Sequence, residues 1–358
     1  MPTPFADDPL SPAFTEAVAA AITSYLDSGA ELANRIGALA MLEQARAAAS
    51  GGKRLRPAFC YWGHAAVASP GDPEALIRAA ASLELLHASL LVHDDLIDAS
   101  DTRRGAPATH RVFEASLGGE RAEAFGVAAA ILTGDLLFDL SVTMFETSGL
   151  PGGARNQGRA VLQEMRREVL LGQYVDVAAG FDATGARTPE QLLGQAERVL
   201  EYKSARYSVA RPAQLGAALA GGNASQLAAL GAFGSLVGQA FQLRDDVLGV
   251  FGDPELTGKP AGDDLREGKR TVLVLAALER CSGGDRARLQ AVLGHPTGDD
   301  GIEQARRIIT DSGALEAVES RIEASRAQAV AELESAPLDP EAVQVLIQLA
   351  ERAIHRDR

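Results

Sequence analysis

Residues 72–98 read DPEALIRAAASLELLHASLLVHDDLID, and this stretch decides the fold. Asp72 can cap a helix, Pro73 suits the first helical position, and Glu74 puts an acid near the positive end of the dipole. From there to about Asp98 the segment is apolar nearly all round, through Leu83, Leu85, Leu86, Leu90, Leu91 and Val92. A helix without a polar face belongs in the middle of a bundle. Its last turn carries three acids. At about 100° per residue, Asp94 and Asp98 share one face a turn apart. The two carboxylates repel each other there, and the helix dipole opposes them as well. A cation must offset both costs, and Mg²⁺ with its oxygen ligands is the natural candidate. A short acidic motif also arises by chance in an acidic chain, so DDLID alone is only suggestive.

The same helical grammar recurs along the chain. Thr188-Pro189-Glu190 starts a helix predicted to run to about Tyr207, and Asn223 can cap another reaching about Val250. Further helices are predicted at 13–49, 120–148, 154–180, 271–281, 299–311, 314–335 and 339–356. Two breaks are long and charged, 99–112 and 252–270, and each follows a helix ending in paired Asp. Apolar residues make up 46% and aromatics only 5%. Val, Ile and Thr rarely alternate with polar residues, which argues against sheet. The expectation is an all-α protein, a single domain over residues 1–358 with about 10–13 mostly antiparallel helices. Its motifs lie in a core of about 30–300, with C-terminal helices over 300–356.

Acidic residues number 48 against 34 basic, a net charge of −14. That excludes a nucleic-acid binder working by a diffuse basic surface. Cys60 and Cys281 are the only cysteines, too few for a disulfide framework or a thiolate metal site. They suit a reducing cytoplasm. Met1 to Pro12 lacks the basic and then apolar pattern of a signal peptide. No uncharged apolar run reaches the roughly 18 residues of a membrane span. A soluble cytoplasmic protein without a membrane span is expected.

Three further clusters give DDLID its context. Asp245 and Asp246 end a second apolar helix, with Gly249 where a third acid would sit. Two acidic helix ends facing one cavity would bracket a metal–diphosphate, since carboxylates and substrate phosphates commonly share Mg²⁺. GGKRLRP (51–57) sets Lys53, Arg54 and Arg56 directly after two glycines. Glycine lets the backbone approach a phosphate and the cations bind it; the plain alternative is a basic loop before a helix. Arg103-Arg104-Gly105 places another cationic pair just beyond DDLID.

GGKRLRP, ELLHASLLVHDDLIDASDTRRG, EYKSARYS and FQLRDDVLGVFGDPELTGKPAGDDLREGKRT together resemble the trans-isoprenyl diphosphate synthases, the polyprenyl synthetase family, in order and spacing. The family includes farnesyl and geranylgeranyl diphosphate synthases. The likeness covers about residues 50–275. It implies the type I isoprenoid synthase fold, a helical bundle around a central cavity, and a homodimer. It also implies a Mg²⁺-dependent reaction in which an allylic diphosphate (dimethylallyl, geranyl or farnesyl) loses diphosphate to leave a carbocation. The alkene of isopentenyl diphosphate then attacks head to tail and a proton is lost.

By this resemblance, Asp94 and Asp98 bind Mg²⁺ on one side and Asp245 on the other, supported by Asp95 and Asp246. Three ions per site are implied, with Mn²⁺ able to substitute. Arg103, Lys203, Lys259 and Lys269 fall at the allylic diphosphate. Lys53, Arg56, His87 and Arg104 fall at isopentenyl diphosphate. Lys203 and Gln242 flank the forming cation with carbonyl oxygens, and the departing diphosphate is the implied base. Taken alone, His87 on an apolar helix would be a core histidine, and Gln242 would make a structural hydrogen bond to the acids a turn away. His93 is left outside the site. The second motif departs from the family pattern, because Gly249 cannot supply a carboxylate; Asp245 remains, so the third metal is expected to survive, with weaker binding on that side the alternative.

Product length follows from geometry. An isoprene unit is roughly as long as a helical turn of about 5.4 Å, so a chain growing beside the DDLID helix stops at the first bulky side chain. Short-chain members of the family typically carry an aromatic five residues before the first Asp, where this chain has Ser89, followed by Leu90. Leu86 and Leu85, with Phe138 or Met144 from the neighbouring helix, are left to form a floor. A C20 or longer product is expected, geranylgeranyl diphosphate first. The alternatives are a farnesyl diphosphate synthase, a non-catalytic subunit of a heteromeric synthase, a class I terpene cyclase and an unrelated metal-binding helical scaffold. A cyclase has no need of a second diphosphate pocket, and a non-catalytic subunit would be expected to have lost the acids or the lysines.

The basic residues divide into 30 Arg and only 4 Lys: Lys53, Lys203, Lys259 and Lys269. All four lie inside these motifs. A compact, flexible ammonium differs from a planar fork, so Lys→Arg at any of the four should cost activity.

Overall fold

Asp72 accepts a hydrogen bond from the Ala75 amide at 2.9 Å, and Pro73 opens a 25-residue helix, Pro73–Ile97. That helix, α5, is the one the opening stretch predicts, with Asp98 as its C-terminal cap. The computed structural model describes Phe5, residues 7–180, 188–253, 262–295 and 298–355. Among them the helices before α5 are α1 (Pro12–Asp27), α2 (Ala30–Ile36), α3 (Leu39–Ala49) and α4 (Leu55–Ala65). After it come α6 (Thr109–Leu117), α7 (Ala122–Glu146), α8 (Gly152–Gly180), α9 (Pro189–Val199), α10 (Arg211–Leu219) and α11 (Ala224–Phe251). The last are α12 (Asp263–Arg266), α13 (Val272–Arg280), α14 (Gly283–Val292), α15 (Asp299–Asp311), α16 (Ala314–Glu334) and α17 (Pro340–Ile354). The protein is all-α.

Seventeen α-helical segments among the described residues exceed the ten to thirteen expected, because short helices divide the predicted stretches. The run 13–49 is three helices, broken where Gly37 takes a positive φ of 78°. Helices α4, α6, α10, α12 and α14 were not foreseen. The predicted loop 99–112 holds a small antiparallel hairpin, Thr102–Arg103 (β1) with Ala106–Pro107 (β2). Arg104 and Gly105 form its turn, both with positive φ (54° and 76°), as a tight two-residue hairpin turn requires.

The described chain divides into two compact units. In the first (1–159, 215–222 and 339–345), α5 is the central helix and packs most extensively on α7, with α1, α3 and α4 against its other sides. Leu76, Leu83, Leu85 and Leu86 are fully buried, alongside Phe14, Phe59, Tyr61, Trp62 and Phe145. Phe14, Tyr61 and Trp62 stack edge to face at 5.6–5.8 Å, the arrangement their quadrupoles prefer. One ion pair lies inside this core. Arg54, in a left-handed conformation (φ 55°), turns inward to Glu84 at 2.7 Å, with side-chain exposures of 6% and 5%. Both its terminal nitrogens also donate to the Ala49 carbonyl.

In the second unit (160–214, 223–338 and 346–358), Thr188 and Asn223 cap their helices as predicted, and the structure adds a reciprocal bond from Gln191 and Gln226. The helix begun at Pro189 does not stop at Tyr207. It widens over Leu200–Ala210 into hydrogen bonds spanning five residues and continues into α10. The widening explains how it passes Pro212, which lacks an amide and would otherwise clash with the preceding turn. Glycines admit this broad coil. A Cβ at Gly172 would lie 2.5 Å from the Lys203 nitrogen, and one at Gly238 2.5 Å from the Ala205 Cα.

Helices α5 and α7 are long and apolar enough to cross a membrane by length and composition, although neither is free of charges. Most of α5 is core. One side of α7 is exposed, with Phe125, Ile131 and Leu132 at 41%, 44% and 56%.

Removing one partner of a buried ion pair strands the other's charge, at a cost of about 3–5 kcal/mol. Glu84→Ala is therefore expected to lower the protein's stability by that amount in denaturant titration, whereas Glu74→Ala on the same helix, at 89% exposure, leaves it nearly unchanged.

Candidate active site

The first unit gathers cations around one imidazole. Gly51, Gly52, Arg54 and Arg104 all hold positive φ, a conformation natural to glycine and costly for arginine. Arg104 donates to the Ser50 carbonyl at 2.6 Å, and its guanidinium lies 3.2 Å from where a Cβ at Gly52 would stand. The glycine turn and the hairpin turn thus lock together, with Lys53 exposed between Gly52 and Arg54. His87 projects from α5 into this group. Burial, then the charges of Arg56, Arg104, Arg103 and Arg54, hold it well below its ordinary range, so it is a neutral ring at pH 7. A neutral imidazole offers one N–H donor and one acceptor.

Beside them the end of α5 carries its acids. Asp94 is 22% exposed, Asp98 is exposed, and Asp95 is turned inward onto Arg103, which donates to Asp95 Oδ1 from Nε at 2.8 Å and from Nη2. Burial works against the Arg103 charge, but Asp95, Asp94 and Asp98 outweigh it and raise its pKa. His93 packs on α7 instead, its ring filling the space beside Gly134.

The second unit builds its own cluster. Lys203, in the widened segment, reaches Asp176 on α8 at 2.6 Å. Gln242 donates to Asp246 at 3.0 Å, the structural bond that was the plain alternative for this residue. Asp246 is buried, and burial, with the charges of Asp264 and Asp176, pushes it up to about 8 despite Gln242 and Lys269. Lys269 pairs with Glu267 at 2.5 Å and Asp264 at 3.6 Å. Asp245 is half-buried a turn after Gln242. Lys259 lies outside the described residues.

Both acidic helix ends are carboxylate-rich, the donor type that Mg²⁺ takes. Among the described residues no three carboxylates, imidazoles or thiolates close a cage by themselves. An ion here would draw its remaining ligands from phosphate and water, which is how Mg²⁺ is usually held. The residues fit the metal.

A profile of the polyprenyl synthetase family matches residues 40–309. The chain belongs to that family. It is 35% identical over 270 residues to the short chain isoprenyl diphosphate synthase of Methanothermobacter thermautotrophicus, 75% of each chain. It is 31% identical over 341 residues to the octaprenyl diphosphate synthase of Escherichia coli, 95% of each. Its fold matches a geranylgeranyl pyrophosphate synthase from Corynebacterium glutamicum, a structure complexed with isoprenyl diphosphate and magnesium. The TM-score is 0.89 at 38% identity, over 96% of this chain and 98% of that one. Polyprenyl synthetases are prenyltransferases, and the protein is one.

Within this polyprenyl synthetase, the first unit brings Arg56, His87, Arg103 and Arg104 together, and the second brings Lys203, Gln242, Asp246 and Lys269 into one electrostatic neighbourhood. Two acids escaped sequence reasoning. Asp176 sits in LLGQYVD, where a single acid on a long helix gives no spacing signal. Asp264 sits in GDDL within the predicted loop 252–270, where its paired Asp263 reads as solvated charge. Arg54 looked like a third phosphate ligand and is a core residue. Of the chain-length residues, Ser89 and Leu86 are fully buried and Leu90 is half-buried.

An Asp whose folded pKa lies near 8, against an ordinary value of 3.8, binds its proton more tightly in the native state. Its native burial therefore costs nothing below about pH 4, and the cost grows as pH rises toward 8. Asp246→Asn is expected to raise the melting temperature of metal-free protein at pH 8, with little change at pH 4.

Proposed function

We propose that this polyprenyl synthetase condenses isopentenyl diphosphate with an allylic diphosphate, head to tail, releasing diphosphate. The proposed product is a trans-polyprenyl diphosphate of C20 or longer, geranylgeranyl diphosphate first. The observation that carries the reading is the cation cluster around neutral His87 beside the α5 acids. That combination suits two diphosphates, one bound by side-chain cations and one bridged by metal.

Lys53 and Arg104, on their interlocked turns, and Arg56, in the first turn of α4, hold isopentenyl diphosphate, and His87 gives it one hydrogen bond without adding charge. Arg103, braced by Asp95, presents its remaining donors to the allylic diphosphate, with Lys203, Lys259 and Lys269. Asp94, Asp98 and Asp245 would hold Mg²⁺, or Mn²⁺ in its place, backed by Asp95 and Asp246; when bound, the ions neutralise the leaving diphosphate. The widened segment at Lys203 supports a further role, since such widenings recur at functional sites. The Lys203 and Gln242 carbonyls would face the developing cation and stabilise it electrostatically.

Relatives' names run from short chain to octaprenyl, so chain length rests on α5 itself. A serine at 89 puts no bulky side chain on that turn, and Leu90 and Leu86 lie on neighbouring levels. A farnesyl product is the competing outcome. We also propose a homodimer, in which the exposed Phe125, Ile131 and Leu132 of α7 meet the same face of a second copy.

Incubating the pure protein with Mg²⁺, isopentenyl diphosphate and each of the dimethylallyl, geranyl and farnesyl primers, then sizing the products, tests the reading. Chains ending at C20 or beyond support it; no condensation with any primer rejects it. Ser89→Phe is expected to shift the products shorter by one or more units, and an unchanged distribution would reject the α5 floor. Ile131→Asp should convert a dimer to a monomer in light scattering.

A further inference from the structure

The second acidic motif lacks its third acid, yet the place where that side chain would point is taken. Gly249 stands one turn after Asp245 on α11. A Cβ built on Gly249 would lie 2.0 Å from Asp264 Oδ2 and 2.5 Å from Asp264 Cγ. No side chain fits there while Asp264 keeps its position. A carboxylate therefore sits at the level of residue 249, delivered from outside the helix.

Asp264 is held there by the fold. It lies in α12, entered through Gly262 in a left-handed conformation (φ 73°). The next residue, Leu265, is fully buried, and its carbonyl accepts from the Gly294 amide at 3.0 Å. The Lys269 amide donates to the Asp264 carbonyl at 2.9 Å, and the Lys269 ammonium lies 3.6 Å from its carboxylate. The acid and the lysine are thus tied by two contacts within one turn of chain.

We propose that Asp264 is a positioning residue that replaces the missing acid of DDVLG, completing the second carboxylate cluster beside Asp245 and Asp246. This rests on the reading of the chain as a metal-dependent prenyl diphosphate synthase. Gly249 is then a requirement, because only a residue without a side chain lets the loop carboxylate lie against the helix. Carrying the acid on the loop has a further consequence. The carboxylate on the metal side and the Lys269 ammonium on the diphosphate side are placed by the same short segment, so they take up position together.

The test compares Asp264→Asn, Gly249→Ala and the exchange Gly249→Asp with Asp264→Gly. Two quantities are read in each: the Mg²⁺ concentration for half-maximal condensation, and the rise in melting temperature on adding Mg²⁺ with inorganic diphosphate. Removing a carboxylate that supports a metal ligand costs at least about tenfold. Both single variants should raise the Mg²⁺ requirement by that factor and shrink the melting shift, Gly249→Ala because its methyl displaces the carboxylate. The exchange should recover to within about threefold of the parent, since the two changes are coupled. Unchanged Mg²⁺ dependence in both single variants, or an exchange no better than Asp264→Asn, overturns the proposal. A parent protein that binds Mg²⁺–diphosphate but condenses nothing would instead overturn the synthase reading, and the melting shifts would still decide the role of Asp264. Should Asp264→Asn fail to fold by circular dichroism, Gly249→Ala, with the loop sequence intact, decides it alone.

Discussion

Carboxylates at the end of a helix, where the dipole is also negative, are the constraint on which this protein turns. Asp94, Asp95 and Asp98 close α5 against its own field. Arg103, delivered by a two-residue hairpin turn, pairs with Asp95 and lies 4.0 Å from Asp94. Asp94 and Asp98 are left partly open at the surface. At α11, burial and neighbouring acids push Asp246 toward its protonated form. Acids kept in such places against their electrostatic interest point to a ligand that brings positive charge. In a chain of net charge −14, its cations must be concentrated where an anionic substrate sits, and the first unit concentrates them around His87.

Much of this was legible in the sequence because its signals are local. The Asp72-Pro73, Thr188-Pro189 and Asn223 starts are caps, and caps depend on a few neighbouring residues. The polarity of α5 could be read the same way, since a helix apolar on every side has one place to go. The ordered string of basic and acidic motifs carried the family before any fold was seen. The interlocking of GGKRLRP with Arg103-Arg104 could not be read from either motif. It depends on left-handed backbone at Arg104 that sequence alone would assign to asparagine or glycine.

What stayed hidden depends on distant residues meeting. Arg54 sits between two basic residues of a phosphate motif, and only the position of Glu84 inside the core turns it inward. The sequence predicts a helix end near Tyr207; the widened turn that carries the chain on past Pro212 has room because Gly172, Gly234 and Gly238 leave space on both flanks. Asp264 belongs beside α11 only because Gly249 has no side chain. In each case the decisive residue is the one across the gap.

The proposal to be tested first is that this acidic chain binds a diphosphate through metal, with Asp94 on α5 and Asp245 on α11 each proposed as a ligand. Calorimetric titration of the protein with a non-reactive allylic diphosphate analogue, sulfur replacing the bridging oxygen, tests it directly. The account predicts tight binding with Mg²⁺, and its loss on chelation and in Asp94→Asn and Asp245→Asn separately. Binding of equal strength without metal, or indifferent to either substitution, would contradict it.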